Sequence, residues 1–267
     1  MSTQLPSASL ECVNARVSAG GRVLLDGITA TLQPGRFTAI LGPNGAGKST
    51  LLSLLSAQRT PDAGQVLLDG TPLHTLSAHT LALRRAVMPQ ESAVAFDFTA
   101  REVAELGRYP HRKHPDANEA AIVDQALAAT DVAALAPRIF NTLSGGEKAR
   151  VHLARALAQV WGPRADGAAR WLLLDEPTAA LDLAHQHQAL RLLRDWAHDQ
   201  GLGVVAVLHD LNLALRYADD VLLLARGEAA CHGPVGDVLT AERIESVWDV
   251  GCTPVRTAKG LLQYLFD

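Results

Sequence analysis

Aromatic residues are scarce in this chain of 267 residues, where they make up only 4% of the sequence. Leucine, valine and alanine must therefore build its hydrophobic core. Cysteine is also sparse, since Cys12, Cys231 and Cys252 lie far apart and no C-x-x-C pair occurs. This spacing indicates neither a disulfide framework nor a zinc site, and it is typical of a protein from a reducing compartment.

A surplus of positive charge is missing as well, because the formal net charge is −4 at pH 7. Proteins that bind nucleic acids usually carry a basic surplus that neutralises phosphates. We therefore expect no nucleic acid among the partners.

Long hydrophobic runs are also absent. The longest apolar stretches, such as residues 171–174 and 221–225, have the length of a strand, whereas a helix needs roughly 20 apolar residues to cross a bilayer. The first residues, MSTQLPSASLE, show neither the positive charge nor the apolar segment of a signal peptide. If the protein works at a membrane, we expect another protein to hold it there.

What the chain does contain is short, continuous apolar runs at residues 37–41, 171–174 and 204–208. Continuous runs without alternation are typical of strands that are buried on both faces, as in a parallel sheet covered by helices. Each run ends in glycine-rich or polar sequence, where an α/β sheet places its ligand site. The sequence therefore predicts an α/β fold with a site at this edge.

The remaining segments divide the chain into three predicted parts. Strands of a smaller antiparallel sheet are predicted at residues 10–17, 23–32 and 65–69. Residues 91–161 are rich in alanine and other helix formers and indicate an inserted helical subdomain. The predicted parts are residues 1–88 with the small sheet and the first part of the core, residues 89–164 with the helical subdomain, and residues 165–267 with the rest of the core and the C-terminal segment.

The most specific motif follows the first apolar run, where residues 42–50 match the P-loop pattern G-x-x-x-x-G-K-[ST] in full. Its glycines let backbone N–H groups point at phosphates, at the N-terminus of a helix. Lys48 is expected to reach the β- and γ-phosphates of ATP, and the Ser49 hydroxyl to bind Mg²⁺. The predicted nucleotide-binding residues are Gly42, Pro43, Asn44, Gly45, Ala46, Gly47, Lys48, Ser49 and Thr50.

Two adjacent carboxylates, Asp175 and Glu176, follow the second apolar run. At the end of a strand, the two carboxylates of such a pair can have different roles. Asp175 is expected to hold Mg²⁺, usually through water, and Glu176 is expected to polarise the attacking water. An exposed acidic turn is the alternative, but a P-loop in the same chain favours the catalytic interpretation.

A second anion site is predicted where the sequence LSGGE precedes a helix on which Val151, Ala154, Ala158 and Trp161 share one face. One γ-phosphate cannot occupy two distant anion sites of the same chain. We therefore predict a dimer in which this turn closes over the nucleotide of the other subunit. The residues concerned are Ser144, Gly145, Gly146 and Glu147.

With these motifs in this order, the chain resembles the ABC family of ATPases over essentially its whole length. The resemblance implies a RecA-like P-loop core with an antiparallel β subdomain and an inserted helical subdomain, acting as a homodimer with ATP and Mg²⁺. It further implies that Gln90 contacts Mg²⁺ and the attacking water and that Asp182 contacts the other subunit. By the same resemblance, His209 hydrogen-bonds the γ-phosphate and positions Glu176.

The chain departs from this family at the position that binds adenine. The family usually stacks an aromatic residue on the base there, but no aromatic residue precedes Phe37. The resemblance places Ala19 or Val17 at this position. Arg16 or Arg22 could cover the base instead, through a cation–π contact.

Two other polar segments are interpreted as surface. His185 and His187 are two residues apart on a predicted helix, so their side chains diverge and cannot hold one metal ion, and we expect both to be solvated. Residues 108–114, with the sequence RYPHRKH, are expected to form a solvated basic loop, with a contact to a permease as the alternative.

Within the family, the chain most resembles the ATPases of bacterial haem (hemin) importers, through residues 86–90, 95–98, 156–161 and 207–214 and a short insert that ends at residues 170–174. This resemblance implies a homodimer at the cytoplasmic face of the inner membrane, two copies of a permease and a periplasmic substrate-binding protein. The alternatives are an importer of ferric siderophores or vitamin B12, or a non-transport ABC ATPase of iron–sulfur cluster assembly or DNA maintenance.

Overall fold

The computed structural model describes residues 8–90 and 95–267. Its strands are β1 (Leu10–Ala19), β2 (Arg22–Leu32), β3 (Phe37–Leu41), β4 (Ala63–Leu68), β5 (Thr71–Pro72), β6 (Arg85–Met88), β7 (Trp171–Asp175), β8 (Gly203–Val207), β9 (Asp220–Ala225), β10 (Glu228–Pro234), β11 (Cys252–Arg256) and β12 (Leu262–Phe266). Its α-helices are α1 (Lys48–Leu55), α2 (Ala78–Arg84), α3 (Ala100–Glu105), α4 (Glu119–Ala129), α5 (Gly145–Gln159), α6 (Leu183–Gln200), α7 (Leu211–Tyr217), α8 (Val235–Val238) and α9 (Ala241–Trp248). Short 3₁₀ helices cover Leu73–Thr75, Leu106–His111, Ala133–Leu135 and Phe140–Thr142.

The main sheet has the strand order β10-β9-β3-β8-β7-β6, in which β9 to β6 run parallel and β10 is an antiparallel edge strand. Every residue of β3 and β8 is buried. Successive side chains serve different layers: Phe37 packs on the side of α5, α6 and α7, whereas Ile40 packs on the side of α1 and the small sheet. Burial on both faces explains the continuous apolar runs, and the predicted parallel sheet is confirmed.

The small sheet has the order β2-β1-β4-β5, and all its pairs are antiparallel, as predicted. The pairing of β1 with β2 shifts between Cys12 and Ala15, and Asn14 within this irregularity has φ +48°. Such a bulge moves the following residues to the other face of the strand. As a result, Ala15 and Val17 point into the core.

The helices α3, α4 and α5 enclose a hydrophobic cluster of their own, which contains Val123 and Leu127 of α4 together with Val151 and Ala154 of α5. Helix α5 ends at Gln159, so Trp161, the last residue of the predicted apolar face, lies beyond the helix. Trp161 nevertheless packs against this cluster.

The boundaries of the three predicted parts remain a prediction, and residues 91–94 of the predicted helical subdomain lie outside the described residues. Among the helices of the described segments, none combines the length and the apolar character needed to cross a bilayer.

Candidate nucleotide-binding site

The turn of residues 42–47 connects the end of β3 to the start of α1. Gly42, Gly45 and Gly47 have φ angles of +149°, +78° and +97°, which disfavour any residue with a Cβ atom. A Cβ atom would lie 2.2 Å from the carbonyl oxygen of Leu224 at position 42, and 2.6 Å from the Leu25 side chain at position 47. The backbone conformation therefore requires all three glycines, and packing additionally requires Gly42 and Gly47.

Lys48 is the first residue of α1 and is only 6% exposed. Its Nζ donates hydrogen bonds to the carbonyl oxygens of Gly42 at 2.8 Å and Pro43 at 3.0 Å. Burial lowers the pKa of Lys48, while the carboxylates of Glu176 and Asp175 act to raise it. An ammonium group and a helix N-terminus thus adjoin the same turn, and both favour the binding of phosphate.

Asp175 is the last residue of β7, and its Oδ1 accepts a hydrogen bond from Ser49 Oγ at 3.2 Å. Burial raises the pKa of Asp175, the Ser49 hydrogen bond lowers it, and the neighbouring Glu176 raises it further. Adjacent oxygen ligands of an octahedral Mg²⁺ ion lie about 3 Å apart. The Ser49 and Asp175 oxygens therefore fit a hard cation.

No group of three or more His, Cys, Asp or Glu side chains suited to a metal ion occurs among residues 8–90 and 95–267. A cation beside Ser49 and Asp175 would take its other ligands from phosphate and water, as Mg²⁺ commonly does in nucleotide sites.

Glu176 is held between two side chains from distant parts of the chain. Gln90 Nε2 donates to Glu176 Oε2 at 2.8 Å, and His209 Nε2 lies 2.6 Å from Glu176 Oε1. The Glu176 side chain is 15% exposed, compared with 48% for His209, so the carboxylate lies on the inner side of the pair. Glu176 also has φ +51°, a conformation that costs of order 1–3 kcal/mol for a residue other than glycine and that is concentrated at functional sites.

Strand order explains why these three residues meet. Gln90 follows β6 by two residues, Glu176 follows β7 directly, and His209 follows β8 by two residues. Since β6, β7 and β8 are parallel neighbours, their carboxyl ends share one edge of the sheet. The structure therefore brings together the three predicted catalytic residues.

The P-loop and this edge form one open cleft. The residues that line it are Leu24, Asn44, Gly45, Gly47, Lys48, Ser49, Thr50, Glu176 and His209. Leu24 was not predicted, because no motif marks it and the contact arises only from the packing of β2 against the turn.

Burial distinguishes between the two predicted adenine positions. Val17 is fully buried and pairs with Leu25 in the core of the small sheet, so its assignment to the base is wrong. Ala19 is exposed at the end of β1, where it pairs with Arg22. Only Ala19 of these two residues is therefore accessible to a base. Leu24, on the next strand, lines the cleft.

The LSGGE sequence begins α5, as predicted. Ser144 Oγ accepts a hydrogen bond from the Glu147 backbone N–H at 3.3 Å, and the Glu147 carboxylate accepts one from the Ser144 N–H at 2.7 Å. This reciprocal capping box fixes the end of the helix. Within the described residues, no member of this sequence lines the cleft beside the P-loop of the same chain.

Asp182 begins the next helix, α6, by accepting a hydrogen bond from the His185 N–H at 2.9 Å. Hydrogen bonds from His185 lower the pKa of Asp182. The turn before Asp182 packs closely on the start of α5, because a Cβ atom at Gly146 would lie 3.0 Å from the Ala180 carbonyl oxygen. Asp182 and the LSGGE turn therefore occupy neighbouring positions on the surface.

The expectation that His185 and His187 are solvated is wrong. Both are half-buried, and each has a side-chain partner: His185 Nδ1 lies 2.8 Å from Asp182 Oδ1, and His187 Nδ1 lies 2.8 Å from the Tyr217 hydroxyl.

Residues 108–114 also differ from the predicted solvated loop, since their first half belongs to the 3₁₀ helix Leu106–His111. Arg108 forms an ion pair with Glu119, and His111 Nε2 lies 2.8 Å from the Gln159 carbonyl oxygen. Glu119 lies in α4 and Gln159 in α5. Their proximity to Arg108 and His111 therefore depends on how these two helices pack with the 3₁₀ helix.

Comparison with known proteins places this site in a family. Residues 25–179 match the family model described as ABC transporter. The hemin import ATP-binding protein HmuV of Escherichia coli O157:H7 is 45% identical over 243 residues, which cover 91% of this chain and 93% of that protein. The protein of the same name from Myxococcus xanthus (strain DK1622) is 50% identical over 242 residues, 90% of each chain.

Solved structures agree with these relatives. An inward-facing ABC transporter assigned to the metal-chelate type has a TM-score of 0.80 and 26% identity, covering 98% of both chains. The dimeric ATP-binding cassette MJ0796, bound to ADP and Pi after hydrolysis, has a TM-score of 0.73 and 27% identity, covering 85% of this chain and 98% of that one. The predicted fold class is confirmed.

Proposed function

Because the chain belongs to the ABC transporter family, we propose that it is the ATP-hydrolysing subunit of a bacterial haem (hemin) importer. The observation that carries this proposal is its identity of 45% and 50% with two hemin import ATP-binding proteins, over nine-tenths of the chain. Similarity to a transporter of the metal-chelate type supports the same class of substrate.

In hydrolysis, the turn of residues 42–47 binds the triphosphate through its backbone N–H groups. Lys48 contacts the β- and γ-phosphates in place of the loop carbonyls that it now binds. Glu176 acts as the base that polarises the attacking water. Gln90 and His209 hold its carboxylate from both sides, which restricts the carboxylate to one orientation before water arrives.

A bound Mg²⁺ ion would neutralise the negative charge that develops on the phosphates. Ser49 and Asp175 would hold it, as their oxygen atoms fit such a cation. Gln90 is the third candidate ligand: because its Nε2 donates to Glu176, its amide oxygen is the atom left to contact the cation.

We further propose a homodimer in which the start of α5 in one subunit faces the cleft of the other. MJ0796, whose fold is similar, forms dimers. In this chain Ser144 and Gly145 are exposed and lie outside the cleft of their own subunit, which supports a contact in trans. Asp182, beside them on the surface, would contact the other subunit.

The complete importer would contain two copies of a permease and a periplasmic substrate-binding protein, with this subunit at the cytoplasmic face of the inner membrane. Support comes from the similarity to ATP-binding proteins of import systems. Haem would pass through the permease without contacting this chain.

The test is growth of a strain that lacks this chain, with haem as the only iron source. We expect growth to fail, to return with the wild-type chain and to stay absent with Glu176→Gln. Normal growth on haem together with loss of growth on a ferric siderophore, or loss of vitamin B12 uptake, would assign one of the alternative substrates. Failure to co-purify with a polytopic membrane protein from detergent extracts would contradict the importer itself.

A further inference from the structure

The C-terminal hairpin β11–β12 is attached to the first turn of α7, close to His209. Asn212 Nδ2 donates to the Tyr264 carbonyl oxygen at 3.0 Å, and Asn212 Oδ1 accepts from the Tyr264 N–H at 2.8 Å. One side-chain amide therefore pairs with both backbone groups of a single residue, 52 positions away in the sequence. Two hydrogen bonds of opposite sense fix the orientation of the amide as well as its distance from the strand.

Tyr264 of the hairpin packs into the hydrophobic core. It is 4% exposed, and its hydroxyl donates to the Leu239 carbonyl oxygen at 2.8 Å. The next residues of the same strand, Leu265 and Phe266, are 59% and 47% exposed. Asn212 is thus hydrogen-bonded to the buried residue of β12 rather than to its exposed end.

The path from Asn212 to the site is three residues long. Asp210 Oδ1 caps α7 by accepting from the backbone N–H groups of Asn212 at 2.8 Å and Leu213 at 2.9 Å. His209 directly precedes this cap, and on its other side the Leu208 N–H donates to a carbonyl of β3 at 3.2 Å. His209 therefore lies between a strand anchored in the main sheet and a helical turn anchored to the hairpin.

On the outer side of this helical turn, a groove lies between the turn and the C-terminal segment. The residues that line this groove are His209, Asp210, Leu211, Asn212, Ile244, Trp248, Val250 and Phe266. Asn212 is one of these lining residues, and its two hydrogen bonds to Tyr264 connect the turn to β12, the strand that contributes Phe266 to the groove.

We propose that Asn212 is a positioning residue for ATP hydrolysis, which holds the first turn of α7 so that His209 stays within hydrogen-bond distance of Glu176. This proposal rests on the catalytic roles proposed above for His209 and Glu176. The separation of 2.6 Å between His209 Nε2 and Glu176 Oε1 leaves little tolerance, since a displacement of about 1 Å removes a hydrogen bond. Misplacement of that size at a catalytic group can cost about 100-fold in rate.

The test compares Asn212→Leu with wild type in the full chain. Leucine has a similar size and removes both hydrogen bonds, so we expect kcat to fall about tenfold. The KM for ATP should stay within twofold, because Lys48 and the P-loop are not involved. Thermal unfolding shows whether the variant is folded, and Asn212→Ala serves in its place if leucine prevents folding. The matched control is Arg256→Ala, which removes a 2.9 Å hydrogen bond to Gly260 inside the hairpin without touching α7.

A double-mutant cycle with His209→Ala separates positioning from general stability, and radiolabelled ATP keeps the residual rates measurable. If Asn212 acts through His209, Asn212→Leu changes kcat by less than twofold once the imidazole is gone. An equal loss in both backgrounds, or a wild-type kcat in the folded single variant, overturns the proposal. A wild-type rate in His209→Ala overturns the catalytic assignment of His209 as well, so the two failures are distinguishable.

Discussion

Replacement of Glu176 by glutamine keeps the size of the side chain but converts one acceptor oxygen into an NH₂ donor. In the native site both oxygens face donors, because Oε2 accepts from Gln90 at 2.8 Å and Oε1 lies 2.6 Å from His209 Nε2. The new amide group must therefore meet one of these donors, unless His209 changes tautomer so that Nε2 accepts or the Gln90 amide rotates so that its oxygen accepts. The variant loses the base and, at most, one hydrogen bond.

The magnitudes of these two losses differ. Removal of a general base lowers kcat by about 10²- to 10⁴-fold, or about 3–5 kcal/mol. A lost hydrogen bond to a charged group contributes about 1.5–3 kcal/mol, which is roughly 150-fold at most. A fall of more than about 150-fold in Glu176→Gln therefore reports the base. ATP binding should be kept or become tighter, because the substitution removes a negative charge that lies near Lys48 and would repel the phosphates.

The assay is phosphate release at saturating ATP and Mg²⁺, with ATP affinity measured separately and the dimer followed by sedimentation. We expect hydrolysis to be lost while ATP-bound dimers accumulate. Glu228→Gln, at an exposed position of β10, is the control and should hydrolyse ATP at the wild-type rate. Hydrolysis by Glu176→Gln within twofold of wild type would refute the assignment.

The dimer, the nucleotide cleft and the cysteines can each be tested separately. Cysteines introduced at the exposed positions Asn44 and Gly145 should cross-link between chains in the presence of ATP; links only within one chain would contradict the contact in trans. Without an aromatic partner for adenine, affinities for ATP and GTP should lie within roughly tenfold, a gap of about 1.4 kcal/mol. Ala19→Tyr should tighten ATP binding, because stacking on a base contributes about 1–3 kcal/mol in nucleic-acid complexes; a wild-type preference for ATP above a hundredfold would show that other residues read the base. Burial raises the pKa of Cys12 to about 12 by disfavouring its thiolate, so iodoacetamide at pH 8 should leave it unmodified in the native protein while it labels the half-buried Cys231; equal labelling of both would contradict the described core.

Local sequence was sufficient wherever the determining residues are contiguous. The strand β3, the glycine turn and the helix α1 follow one another directly, and each glycine is required by the backbone of that same turn. The same holds for the capping box of Ser144 and Glu147, in which the partners are three residues apart. Continuous apolar runs likewise predicted the buried strands of the main sheet, because burial on both faces leaves no polar positions.

The tertiary structure alone decided which distant side chains meet. Gln90 and His209 contact Glu176 because β6, β7 and β8 are neighbours, and the order of strands in a sheet is not encoded by the pattern within any one of them. Val17 is buried because a bulge near Asn14 changes the face on which it lies, a shift that the alternation of residues does not reveal. Asn212 is bonded to Tyr264 across 52 residues for the same reason: a hydrogen bond between separate elements depends on how those elements pack, and packing is a property of the whole chain.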